Sequence, residues 1–255
     1  MNLSRGEWIL ASRAVNLCSQ SYLRESEMTT LAFNEPRISQ FLWLDDPETD
    51  LQGFVCIIKG VVWVTIRGSN SKQDWKGNFN WLPKYGTHRG YRKSSDAVWD
   101  TVRSYCRKHM DLPVVVTGHS AGGGIGQALG CWLADEGHRV DLVTFGSPRA
   151  FTGRLAGKAE RGFRRAFRWV NDRDAVTRVP PAWLCSFRHI GDLRLIRDDG
   201  SLSDRYRNLY GGRIKGTAKA LTFQGIEAKT DHSIRQYRKA VMALEPDEAV
   251  IAGGA

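Results

Sequence analysis

The stretch PVVVTGHSAGGGIG, residues 113–126, constrains the fold more than any other part of the chain. Val114–Thr117 is a short apolar, β-branched run, the type buried on both faces of a parallel sheet. Residues 121–136 read as a helix. A strand that turns straight into a helix implies crossover connections, and therefore an α/β sheet. Five of these fourteen residues are glycine, which weakens strands and helices alike, so the turn must require them. Glycines at 118, 122, 126 and 130 also recur every four residues. On a helix they form a bare stripe that lets its backbone approach the sheet closely.

The turn itself, Gly118-His119-Ser120-Ala121-Gly122, fits G-x-S-x-G between an apolar strand and a helix. Such a turn is tight and strained, and it projects the serine above the sheet. A dinucleotide loop is excluded, because no G-x-G-x-x-G can be placed on these glycines.

The flanking sequence repeats the α/β pattern. Residues 7–23 have helical periodicity, and Phe54–Ile58 with Val61–Ile66 read as a hairpin about Lys59-Gly60. A helix is expected over 94–110, with Ser94 and Ser95 as caps. Strands follow at 140–146 and 166–170, and a last helix at 232–244. With no repeat or linker, the expectation is one domain over 1–245 and a disordered tail over 246–255. The central sheet should be mostly parallel with helices on both faces.

A serine hydroxyl needs a base, and in this strand–turn–helix setting the partners follow in the order Ser, Asp, His. Asp172 and Asp174 both lie just past the 166–170 strand. Of the histidines after Ser120, His138 sits at a helix end and reads as solvated. His189 lies fifteen residues after the nearer acid candidate, whereas His232 comes after a further stretch of chain, as the order predicts. The oxyanion donors are expected from the Ala121 N–H and from Ser69, which follows the Val61–Ile66 run.

These pieces resemble the fungal-type triacylglycerol lipase family, or class 3 lipases, over roughly residues 7 to 240. The markers are TIRGS, HRGY (88–91), VTGHSAGG, TFGSPR (144–149), VNDRDAVTRVPP (170–181), FRHIG (187–191) and DHSIRQY (231–237). The resemblance implies an α/β-hydrolase-like fold with no cofactor and no metal. It selects Asp174 over Asp172 as the acid and His232 over His189 as the base. It implies a serine carboxylester hydrolase that cleaves lipid or other hydrophobic esters through an acyl-enzyme on Ser120. A phospholipase, an acyltransferase and a non-catalytic binding protein are the alternatives on the same fold. The family's lid falls at about 70–87, where Trp75, Phe79, Trp81 and Leu82 would meet substrate. This segment is short and polar, so a partial lid is expected. Ala121 stands where leucine is common.

Formal net charge is +10, from 37 basic and 27 acidic residues. Basic and aromatic residues interleave at 161–168 and 205–219, but no nucleic-acid module accompanies them, and no specific nucleic-acid partner is expected. A solvated basic face is the first reading of these stretches, and peripheral contact with an anionic membrane surface is the next. The five cysteines are odd in number and form no C-x-x-C pair, which suits free thiols. The first twenty residues lack the apolar core of a secretory signal, and no apolar run is long enough to span a membrane. The expectation from these features is a cytoplasmic enzyme, with leaderless release as the other route.

Overall fold

The structure, a computed structural model, describes residues 1, 3–68, 82–183, 186–206 and 232–246. The chain opens with helices α1 (Arg5–Gln20) and α2 (Glu25–Asn34). Ser4 caps α1 by accepting from the Glu7 N–H at 3.2 Å. Strands β1 (Ile38–Asp46), β2 (Leu51–Ile58) and β3 (Val61–Ile66) follow as an antiparallel group. A small hairpin, β4 (Pro83–Lys84) and β5 (Thr87–His88), leads into α3 (Arg89–Arg107). The strand–turn–helix unit comes next as β6 (Val114–His119) and α4 (Ala121–Asp135). Then come β7 (Val140–Phe145), β8 (Phe151–Thr152), α5 (Gly153–Gly162) and β9 (Arg165–Asn171). Short strands β10 (Phe187–Arg188), β11 (Asp192–Ile196) and β12 (Leu202–Ser203) precede α6 (Ile234–Ala243).

Eight strands make the central sheet, in the order β1-β2-β3-β6-β7-β9-β11-β12. The middle of it, β3 to β11, is parallel, and antiparallel strands flank it on both sides. Strand alternation divides the side chains between two cores. Val55, Ile57, Val62, Val64 and Val116 pack on one face with α3, α4 and α5. Phe54, Cys56, Trp63, Val115 and Phe145 pack on the other with α1, α2 and α6. Each fully buried side chain of this size stabilises the fold by ~1.5–3 kcal/mol. The parallel strands are thus clamped from both faces, which fixes the C-terminal ends from which the site is built.

Several boundaries differ from the sequence expectation. α3 begins at Arg89 and is capped by His88, whose Nδ1 accepts from the Tyr91 N–H at 3.4 Å. Ser94 and Ser95 are inside the helix and cap nothing. Their hydroxyls bond back to the Gly90 and Tyr91 carbonyls at 3.3 and 2.8 Å, a helical alternative to capping. Periodicity did not reveal α2, β1 or β11. β1 is an edge strand with a shifted register between Ser39 and Leu42, so its alternation is broken. β11 hides behind a central Arg194, which lies over the Phe167 ring at 4.7 Å and pairs with Glu7. His138 is not solvated: it is 5% exposed, and burial lowers its pKa.

Candidate active site

β6 ends at His119, and the chain turns into α4 through a single residue, Ser120, with φ 56° and ψ −131°. A non-glycine residue at positive φ is strained, and the packing around it must hold it there. Two glycines make the turn sterically feasible. A Cβ on Gly118 would collide with the Gly122 carbonyl, and one on Gly122 with the carbonyls of Ile66 and Arg67. The helix start is thereby laid directly against the end of β3. The rest of the stripe behaves likewise: Gly126 faces Val116, and Gly130 faces Phe163 and Val116. Ser120 sits at the N-cap position of α4, yet its side chain makes no capping bond. Its Oγ is instead 2.9 Å from His232 Nε2.

The line continues past the imidazole. His232 Nδ1 lies 2.8 Å from Asp174 Oδ2. A carboxylate accepts, so Nδ1 carries the proton and Nε2 presents its lone pair to the Ser120 hydroxyl. Asp174 is fully buried, a position a charge tolerates only with donors around it. Tyr237 Oη donates to its Oδ2 at 2.6 Å, and the Val176 N–H donates to its Oδ1 at 2.9 Å. The Asn171 N–H in turn fixes the Tyr237 oxygen at 3.0 Å. β9 delivers Asp174 just past its C-terminal end, and the short 3₁₀ turn Val176–Arg178 supplies the Val176 donor. The Ser233 side chain caps α6, so His232 stands immediately before that helix.

The structure therefore brings Ser120, His232 and Asp174 together and leaves Asp172 and His189 aside. Asp172 lines a surface groove with Arg173, Arg197 and Asp198. His189 Nε2 bonds the Thr177 carbonyl at 2.8 Å, and burial holds its pKa well below the usual value. Ala121 is buried as the first residue of α4, where the backbone N–H groups have no partner within the helix. Ser69, Trp75, Phe79 and Trp81 lie outside the described residues. Leu82 is described and is 63% exposed. The end of the expected lid, 83–87, is a β-hairpin: Thr87 pairs with Phe151 in a second, four-stranded sheet. Tyr237 was missed by sequence reasoning, although it stands inside the DHSIRQY motif. Among the described residues, no group of three or more His, Cys, Asp or Glu could hold a metal. The described cysteines, Cys18, Cys56, Cys106 and Cys131, are buried free thiols.

With this geometry in place, comparison with known proteins is informative. Residues 63–183 match the family described as Lipase (class 3). Over that stretch, just under half of its length, the chain is similar to the class 3 lipases. It is 28% identical over 137 residues to secreted mono- and diacylglycerol lipase 1 of Fusarium solani, a match covering 49% of this chain and 41% of that protein. The match thus spans about two fifths of that relative's length. Among solved structures, Rhizomucor miehei triacylglyceride lipase superposes with a TM-score of 0.69 at 22% identity, over 82% of this chain and 89% of that one. A triacylglycerol lipase whose catalytic centre is described as a serine protease triad also gives 0.69 at 22% identity, over 84% and 91%. These structural matches establish the α/β-hydrolase-like fold.

The lipase comparison also corrects one expectation. The Fusarium solani relative is a secreted lipase, which points to an extracellular setting and away from a cytoplasmic one. The absence of an apolar core from the first twenty residues does not fix a location. Among the described residues, no helix is long and apolar enough to cross a membrane.

Proposed function

We propose that this chain is a serine carboxylester hydrolase acting on lipid or other hydrophobic esters. The observation that carries this is the unbroken line Ser120 Oγ–His232 Nε2, His232 Nδ1–Asp174 Oδ2, at 2.9 and 2.8 Å. In this reading Ser120 Oγ attacks the ester carbonyl carbon while His232 Nε2 takes the hydroxyl proton. Asp174 holds the imidazole in the required tautomer and stabilises its charged form. The Ala121 N–H, at the positive end of α4, and the Ser69 N–H would hold the developing oxyanion. Collapse expels the alcohol, which takes the proton from His232 and leaves an acyl ester on Ser120. A water, deprotonated by His232, then attacks that ester and frees the acid.

The relative's name supports mono- and diacylglycerols as the first substrates to try. Trp75, Phe79, Trp81 and Leu82 remain the proposed lid and acyl contacts. Contact with anionic membrane would draw little on the arginines near β9. Arg164 and Arg165 are tied to the buried Asp141, and Arg173 is tied to Asp198.

A fluorophosphonate probe tests the reading. The wild-type chain should be labelled and should hydrolyse p-nitrophenyl esters and a diacylglycerol, and Ser120→Ala should lose both properties. Folded wild-type protein that neither labels nor hydrolyses any ester would refute the proposal.

A further inference from the structure

Beside the proposed triad stand two polar side chains that do not touch the Ser120 hydroxyl. His119 is 4% exposed, and its Nε2 lies 2.7 Å from the His232 backbone carbonyl oxygen. A carbonyl only accepts, so this nitrogen carries the proton. The neutral ring then offers Nδ1 as an acceptor, and Tyr22 Oη lies 2.7 Å from it as the donor. Burial, helped by the charge of His232, pulls the His119 pKa down to about 3, so the ring stays neutral in this single tautomer. Burial raises the Tyr22 pKa, so its proton stays in place too.

The other end of this connection reaches β3. The Gly68 backbone amide faces the Tyr22 oxygen. A Cβ added to Gly68 would meet Tyr22 Oη at 2.5 Å, the His119 carbonyl at 2.7 Å and Ser120 Cβ at 3.0 Å. Gly68 immediately precedes Ser69, the proposed second oxyanion donor. The His119 ring also packs against the His232 ring, with centroids 4.8 Å apart.

We propose that Tyr22 and His119 are positioning residues, a strut that ties the end of the oxyanion loop at Gly68 to the backbone of His232. The proposal rests on the ester hydrolase reading above. The strut joins the element that carries the base to the one that leads into the proposed second oxyanion donor. It holds the base in place while the His232 ring takes the proton from Ser120 and passes it to the leaving alcohol. It also holds the oxyanion donors at the same distance from Ser120 throughout. Because His119 is uncharged, the imidazolium that forms on His232 meets no second positive charge beside it. Neither strut residue contacts substrate in this scheme, so its loss should act on kcat and spare KM.

The test uses the full chain with a soluble p-nitrophenyl ester, recording kcat, KM and Tm, together with the downfield proton signal of the His232 Nδ1–H. Tyr22→Phe removes one hydroxyl and keeps the ring. It should lower kcat by about 10- to 10²-fold with KM unchanged, as expected for a misplaced catalytic group. It should also broaden the Nδ1–H signal by faster exchange. His119→Phe should be at least as slow. His119→Gln can still donate an amide N–H to the His232 carbonyl, and it should recover about tenfold of that loss. Wild-type kcat and a sharp Nδ1–H signal in folded Tyr22→Phe would overturn the strut, and so would a glutamine variant as slow as the phenylalanine one. A wild-type chain that hydrolyses no ester would instead defeat the hydrolase reading, and the proton signal would still report on the strut.

Discussion

Ser120 and its two partners reach the same hydrogen-bonded line by opposite routes. Ser120 is placed by its immediate neighbours: the end of β6, the start of α4, and two glycines without which the turn would collide with itself. Asp174 and His232 are placed by assembly. They are 58 residues apart in sequence, and His232 is 112 residues from Ser120. No local geometry forces either into the site. β9 ends where it does because it pairs with β7 and β11, and α6 docks where it does because Ile234, Tyr237 and Val241 bury against the sheet. A side chain fixed by local backbone leaves a spacing in the sequence, whereas one fixed by assembly leaves only its type and its order.

The assembled half is therefore where a wrong assignment would show, and the acid is its sharpest point. Asp174→Asn should lower kcat by on the order of 10⁴, because an amide no longer holds His232 in the tautomer that can accept the serine proton. Asp172→Asn should leave kcat close to wild type, since Asp172 lines a surface groove with Arg173, Arg197 and Asp198 and Asp174 is the residue bonded to His232. Steady-state kinetics on the two purified variants checks both. A dead Asp172 variant beside an active Asp174 variant would transfer the acid's role and dissolve the geometric argument.

The two halves were legible to different degrees for the same reason. The β6–α4 unit and the hairpin before it carry their signal in consecutive residues: an apolar run, glycines four apart, a Lys-Gly turn with both residues at positive φ. The order Ser, Asp, His pointed to the stretch just past β9 but could not separate two aspartates two residues apart. Burial and the Tyr237 and Val176 donors separate them, and both are properties of the assembled fold. Tyr22 was illegible because it follows α1 and meets His119 across 97 residues. The basic strip is a further case. Asp141 stands opposite Arg165 in the β7–β9 register and binds both Arg164 and Arg165, so the two arginines share one carboxylate and the cluster carries a net charge of +1. Burial raises the pKa of Asp141, but the bonds from the two arginines outweigh it and the net shift is downward. Charge counting along the chain sees none of this.

The locally built half predicts a steep contrast within one helix. A methyl group on Gly122 would meet backbone carbonyls of β3 and the loop after it, which cannot rotate away. Gly122→Ala should destabilise by about 1–3 kcal/mol as an overpacked site, despite the gain in helix propensity. Gly126→Ala places its methyl 3.3 Å from a Val116 side-chain carbon, which can yield. It should be near neutral, with propensity and crowding offsetting each other at about 1 kcal/mol each. Urea unfolding of both variants measures the difference. Equal effects would mean that the glycine stripe reflects only helix–sheet distance, with no special demand at the elbow.

A smaller loss of activity than that of the Asp174 variant is expected where the two halves meet, at Tyr237. It is on α6, so assembly places it, yet it follows His232 by only five residues, so the same helix start sets both. Tyr237→Phe removes the Tyr237 hydroxyl's bond to the buried carboxylate and the bond it accepts from the Asn171 N–H. A hydrogen bond to a charged group contributes ~1.5–3 kcal/mol, but His232 and the Val176 N–H still hold Asp174, so only part of this should reach the reaction. We expect kcat to fall about tenfold with KM unchanged, equivalent to ~1.4 kcal/mol, and Tm to fall because two hydrogen bonds that tie α6 to the end of β9 and to Asp174 are lost. The two readouts separate two roles. If kcat falls along with Tm, Tyr237 positions the acid. If Tm falls and kcat does not, the tyrosine anchors α6 to β9 and Asp174 is held well enough by the local turn at Val176. In that case the acid, too, would be set mainly by its neighbours in sequence, and the contrast with Ser120 would narrow to His232 alone.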